Sequence, residues 1–165
     1  MNLQKLFETQ AELDAHIIEE KGLQGHDLLD KKILALQVEL GELANELPEE
    51  FKFWANKKNN YEKALKEYVD GLHFILSIGN DVTINKYEYV ELIDLTNDIT
   101  AQFNEIFKLI GNWEKEYLLM NNELYFDVVN EFLHLGKMLG FTWEEIEQAY
   151  YAKNDINHKR QEQGY

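Results

Sequence analysis

The sequence predicts an all-α protein, a helical bundle of about six helices. Three observations carry that reading. Apolar residues recur with a helical period along nearly the whole chain, no run alternates in the manner of a strand, and a single proline, Pro48, interrupts 165 residues. The chain is one domain of ordinary length, 1–165, and is long enough to bury a core.

The periodicity places helices at about 2–20, 28–47, 60–80, 86–110, 121–139 and 142–160. The first carries apolar residues along one face of LQKLFETQAELDAHII. His26 or Asp27 precedes the second, which stops where Leu47 meets Pro48, because a residue before proline is pushed out of the helical region. The third runs through EYVDGLHFILSI. The fourth and only the start of the fifth fall in the stretch 81–125, the least recognisable part of the chain. The last begins after Gly140 at Thr142-Trp-Glu-Glu145, the spacing of a capping box.

Composition narrows the function. Hydrophobic residues make up 45% of the chain, with nine Phe, nine Tyr and three Trp, which argues against disorder. No cysteine is present, so disulfides and thiolate metal sites are excluded, and a reducing cytoplasm suits the chain. The N-terminal MNLQKLFETQAELD lacks an apolar signal core, and no stretch approaches the length of a membrane span. A formal net charge of −15 disfavours binding to a nucleic acid polymer. It also means that an enzyme acting on phosphates would need a metal and a local basic cluster to reverse the potential at its site.

Two acidic pairs, Glu39-x-x-Glu42 and Glu67-x-x-Asp70, are the residues most suggestive of chemistry. Residues three apart share a helix face, so two such helices side by side would gather four carboxylates into an all-oxygen pocket. Hard divalent cations, Mg²⁺ among them, choose that environment. The spacing alone is weak, since acid-x-x-acid recurs at Asp27/Asp30, Glu46/Glu49, Glu88/Glu91, Glu91/Asp94 and Glu144/Glu147 among 31 acids. Most such pairs are solvated faces. Position on the helix separates these two from the rest. With about 100° per residue, Ala64, Gly71, Phe74, Ile75 and Ile78 share the face of Glu67, and Glu39 lies beside Ala35, Leu36 and Leu43. Carboxylates turned toward a core protonate or find a cation. Both pairs are therefore expected to be buried between two core helices, and Gly71 to leave room for a ligand or a neighbouring helix.

Two further clusters are ambiguous from the residues alone. Phe51-Lys-Phe-Trp54 lies between the acidic helices; its aromatics can wall a base pocket, or Phe51 and Phe53 can cap the bundle core while Trp54 shields its end. Composition favours the capping role. Lys153, Asn157 and Arg160 share a face of the last helix, where they can grip phosphate oxygens or simply complement the helix dipole. Other chemistry is thinly represented. The five His show no zinc spacing, Ser77 is the only serine and sits in a helical pattern, and there is no phosphate-binding glycine loop.

In combination, Gln10-x-x-Leu-Asp14, Glu39-x-x-Glu42, Phe51-Lys-Phe-Trp54, Glu67-Tyr-Val-Asp70-Gly-Leu-His73-Phe74 and Lys153-Asn-x-x-Asn157-x-x-Arg160-Gln resemble the dimeric, all-α dUTPases. That family belongs to the all-α NTP pyrophosphatase superfamily, together with the MazG-like enzymes, and the variant looks like that of Gram-positive bacteria and their phages. The match runs from about residue 10 to 163.

The resemblance implies Mg²⁺-dependent hydrolysis of dUTP to dUMP and pyrophosphate, with dUDP also cleaved, by a homodimer. It implies that Glu39, Glu42, Glu67 and Asp70 hold metal, that Glu42 activates a water which attacks the β-phosphorus, and that Lys153, Asn157 and Arg160 grip the phosphate tail. It also implies that Gln10 reads the uracil edge, that Trp54 packs near the base, and that Phe74 packs on the deoxyribose with His73 beside it. Asp14 stands where some relatives carry other polar residues. The alternative enzyme is a house-cleaning pyrophosphatase acting on dCTP or another NTP. A different class is a helical interaction protein, such as a phage protein that binds a regulator, and a regulatory protein partner is also compatible with catalysis.

Overall fold

The computed structural model describes residues 3–82, 97–114, 118–119 and 123–164. Seven helices are assigned among them: α1 Leu3–Lys21, α2 Leu29–Asn45, α3 Pro48–Phe51, α4 Tyr61–Asp81, α5 Ile99–Gly111, α6 Glu123–Met138 and α7 Trp143–Glu162. No strand occurs among the described residues. The all-α expectation holds.

Helix ends follow local chemistry. In α1, the Leu23 N–H donates to the Ile18 carbonyl at 2.9 Å, and Gly22 takes the left-handed turn (φ 62°) that this closure requires. Asp27 does not cap α2 as N-cap; Leu28 holds that position, and the Asp27 carboxylate accepts the Leu29 N–H at 3.2 Å. Asn60 and Asp98 cap α4 and α5 by accepting N–H bonds from Lys63 and Ala101. The capping box is formed as the sequence predicts: Thr142 Oγ1 accepts the Glu145 N–H at 3.2 Å, and Glu145 Oε2 accepts the Thr142 N–H at 2.8 Å.

Two boundaries differ from expectation. Between α2 and α4 the chain forms the single turn α3, since Pro48 at a first helical position needs no N–H partner. The helix expected over 86–110 is described only from Ile99, and its first part lies outside the described residues.

Helix α4 is the central element. It buries Ala64, Tyr68, Val69, Leu72, Ile75, Leu76 and Ile78 and packs against α1, α2, α6 and α7. Its small residues set the approach of its neighbours. A Cβ on Gly71 would meet the Phe132 ring of α6 at 3.2 Å, so this glycine admits a neighbouring helix rather than a ligand. Gly79 lies against the Tyr125 and Phe7 rings with no room for a methyl group. Tyr125 donates its hydroxyl to the Ile75 carbonyl at 2.9 Å, which ties α6 to α4. The most extensive helix pair is α2 with α4, and it places the two acidic motifs side by side.

Candidate active site

The acidic motifs converge as far as three residues. Glu39, Glu67 and Asp70 each offer a ligand atom, and these atoms lie within 4.8 Å of one another, close enough to hold a metal ion. The cost of this gathering shows in their proton affinities. Burial, and then the charges of Asp70, Glu42 and Glu67, push Glu39 up to about 7. Burial and the charges of Asp70 and Glu42 also raise Glu67. Carboxylates crowded in this way favour a divalent cation, which offsets the repulsion without a proton.

Glu39, Glu67 and Asp70 are half-buried rather than buried as expected, and Glu42 departs furthest from that expectation. It is exposed and lies outside that group, although its charge acts on both Glu39 and Glu67. The reason is angular. The buried line of α2 is Leu36, Leu40 and Leu43. At about 100° per residue Glu39 flanks that stripe, about 40° beyond Leu43, whereas Glu42 points about 100° or more from each of its leucines.

Helix α7 brings the opposite charge. Lys153 Nζ donates to Asp70 Oδ2 at 2.5 Å, so the basic face borders the acidic cluster directly. Between them lies a cleft of about 190 Å³ whose walls include Glu39, Asp70, His73, Phe74, Lys153 and Arg160. Gln10 and Asn157 line it as well. Eight residues proposed from the sequence therefore share one cavity, drawn from α1, α2, α4 and α7. Leu13, Ile17 and Phe74 make its apolar wall.

His73 is held in one tautomer. Its Nδ1 lies 2.9 Å from the Val69 carbonyl, which can only accept, so Nδ1 carries the proton. Its Nε2 is then a buried acceptor without a hydrogen-bond partner among the described residues. Burial lowers the ring to about 4, so it is neutral at ordinary pH. The ring stacks on Tyr150 with centroids 4.2 Å apart.

Trp54 is not brought to the cleft. It is 67% exposed and Phe53 is 93% exposed, the two rings meeting edge to face at 4.9 Å. The core-capping role that composition favours for Phe53 is thus overturned. The segment 52–60 is drawn outward by polar ties to α3, where Glu49 accepts from Asn59 N–H at 2.9 Å and from Lys58 Nζ at 2.5 Å. Phe51 alone turns partly inward, toward Leu47, Phe103 and Phe107.

Residue-by-residue reading of the sequence missed a polar group behind Gln10. Asp14 Oδ1 accepts from Gln10 Nε2 at 2.8 Å and Oδ2 accepts from Ser77 Oγ at 2.8 Å. Tyr150 donates to Gln10 Oε1 at 2.9 Å. Lys32 Nζ lies 3.9 Å from Asp14 and 2.7 Å from Asp81. The available signal was spacing: Asp14 follows Gln10 by one helical turn, as Ser77 follows His73.

Carboxylates facing Lys153 and Arg160 of α7 across a cleft with an apolar inner wall suit an enzyme that handles a phosphorylated nucleoside. The chain matches the family model for dUTPase over residues 2–165 and belongs to that all-α family. It is accordingly a dUTP diphosphatase that hydrolyses dUTP. A comparison with curated proteins finds no match. No helix among the described residues is long and apolar enough to cross a membrane.

Proposed function

We propose that the protein cleaves dUTP to dUMP and pyrophosphate with Mg²⁺ as its metal, and that dUDP is a second substrate. The observation that supports this best is the convergence of Glu39, Glu67 and Asp70, of which Glu39 and Asp70 line a cleft together with Lys153 and Arg160. An oxygen-only donor set suits Mg²⁺, which keeps several waters and substrate phosphates in its octahedron. When bound there, Mg²⁺ neutralises the phosphate tail and acidifies a water.

The chain's own residues divide the remaining work. Glu39, Glu67 and Asp70 hold the metal, with Glu42 completing the set from the rim. Glu42 is exposed, so its carboxylate is free to orient the attacking water and accept its proton as that water approaches the β-phosphorus. Lys153, Asn157 and Arg160 hold the phosphate oxygens from α7. The nucleoside occupies the apolar end: Phe74 packs on the sugar, His73 offers its Nε2 lone pair, and Gln10 presents an amide to the base. Trp54 stands outside the cleft of its own chain. The exposed Phe53 and Trp54 pair, with Leu34 and Val38 also exposed on α2, supplies apolar surface for a homodimer. A cysteine-free chain suits a reducing cytoplasm.

The deciding experiment measures pyrophosphate release from dUTP, dCTP and other NTPs, and phosphate release from dUDP, across a Mg²⁺ titration, for wild type and Glu42→Gln. The variant keeps the shape but loses the base, so a loss of about 10²–10⁴-fold in kcat is expected. Near-normal turnover at saturating Mg²⁺ would sink the assignment of Glu42. Activity unaffected by chelation would sink the metal site. Light scattering at micromolar concentration checks the dimer, and an active monomer refutes it.

A further inference from the structure

We propose that Asp14 is a positioning residue that sets the orientation of the Gln10 amide and thereby selects uracil over cytosine. The proposal rests on the reading above that Gln10 presents its amide to the base. Gln10 is 3% exposed, lines the cleft, and has both ends of its amide tied internally: Nε2 to Asp14 and Oε1 to Tyr150. The oxygen and nitrogen of an amide are nearly the same size, so a half-turn about its last bond exchanges them with little steric consequence. Only the neighbours decide which way it sits.

Asp14 decides it. An ionised carboxylate can only accept, so it takes the NH₂ end and repels the carbonyl end. Tyr150 is a weaker determinant, because a hydroxyl donates or accepts, and the Leu6 carbonyl 3.4 Å away offers its proton a second acceptor. Ser77 and Lys32 keep the carboxylate in place: the hydroxyl donates to Oδ2, and the ammonium lies 3.9 Å from the same oxygen. Burial raises the Asp14 proton affinity, and these donors counteract the rise.

Tied in this way, Gln10 retains one N–H and one oxygen lone pair in a fixed order. Uracil carries a donor at N3 flanked by carbonyls, so its N3–H meets Oε1 and a ring carbonyl meets Nε2. Cytosine in the same seat sets an unprotonated N3 against Oε1, acceptor against acceptor. A polar site that leaves such a mismatch unpaired discriminates far more strongly than an apolar pocket can. With Asn at position 14, the neighbouring group can donate as well as accept. Gln10 is then free to turn over and match cytosine.

The test compares kcat/KM for dUTP and dCTP in wild type, Asp14→Asn and Gln10→Ala, with folding checked by circular dichroism. Asp14→Asn is expected to lower the dUTP to dCTP ratio at least about tenfold, the size of one misassigned hydrogen bond to a buried group. The change should fall in KM, because the reacting phosphates lie at the other end of the cleft. Gln10→Ala should raise KM for dUTP. An unchanged ratio in folded Asp14→Asn, with dUTP binding weakened by Gln10→Ala, overturns the positioning role and leaves the base site standing. Gln10→Ala with unaltered KM for dUTP overturns both. If Asp14→Asn does not fold, Asp14→Ser removes the obligate acceptor with a smaller side chain; the same fall is expected, and an unchanged ratio again overturns the proposal.

Discussion

Lys153 Nζ lies 2.5 Å from Asp70 Oδ2, so one side chain assigned to the phosphates is ion-paired with one assigned to the metal. A cation therefore already partly neutralises the acidic cluster when no divalent ion is bound. Its charge also lowers the proton affinities of Glu39 and Glu67, against the larger effects that raise them. With the proposed roles, Asp70 toward a metal and Lys153 toward the phosphate tail, this pair would have to open on binding.

Lys153→Ala is accordingly expected to leave Mg²⁺ affinity of the free protein intact or improved, since it releases Asp70, while raising KM for dUTP and lowering kcat. Arg160→Lys keeps the charge but loses the planar fork, and a marked fall in kcat/KM is expected if phosphate recognition is bidentate. Calorimetric Mg²⁺ titration alongside steady-state kinetics checks both. If each change costs only about 0.3–1 kcal/mol of stability with kinetics intact, these residues merely complement the dipole of α7.

The neutral His73 predicts a pH-dependent stability. Its ring titrates near 6.5 in the unfolded chain and about 4 in the folded one. Between those values the unfolded state binds more protons, so this residue's share of stability is lost as pH falls from 6.5 toward 4. The full difference is about 3 kcal/mol. Glu39 acts in the opposite sense, because its raised affinity adds stability as pH falls from about 7 toward 4.5. Comparison with His73→Asn, whose side-chain amide can still donate to the Val69 carbonyl, isolates the first effect. Urea midpoints of the variant should fall less steeply with acidification than those of wild type, and parallel curves would contradict the prediction.

Gly79→Ala is expected to destabilise the fold although alanine favours helices. The added methyl would collide with the Tyr125 and Phe7 rings, and Tyr125 is anchored to the Ile75 carbonyl. Overpacking of this kind costs about 1–3 kcal/mol, whereas the gain in helix propensity is about 1 kcal/mol. A lower Tm measures the balance, and a raised one would show that the rings yield.

Helix identity, the capping box at Thr142 and the acidic motifs were legible in the sequence because each depends on neighbours within one or two turns. The face shared by Gln10 and Asp14 and that shared by Lys153, Asn157 and Arg160 are local in the same sense. Family membership was legible too, because motifs in a fixed order carry information that single motifs do not. Contacts between helices were not. That Glu39 joins Glu67 and Asp70 while Glu42 stays at the rim depends on how α2 rolls against α4. That Trp54 leaves the cleft depends on Glu49 binding segment 52–60 from outside it. The network from Asp14 to Ser77, Lys32, Gln10 and Tyr150 joins α1, α2, α4 and α7 across up to 140 residues of sequence. Periodicity reports the direction of a side chain about its own helix axis, and only the packed bundle decides which other axis that direction meets.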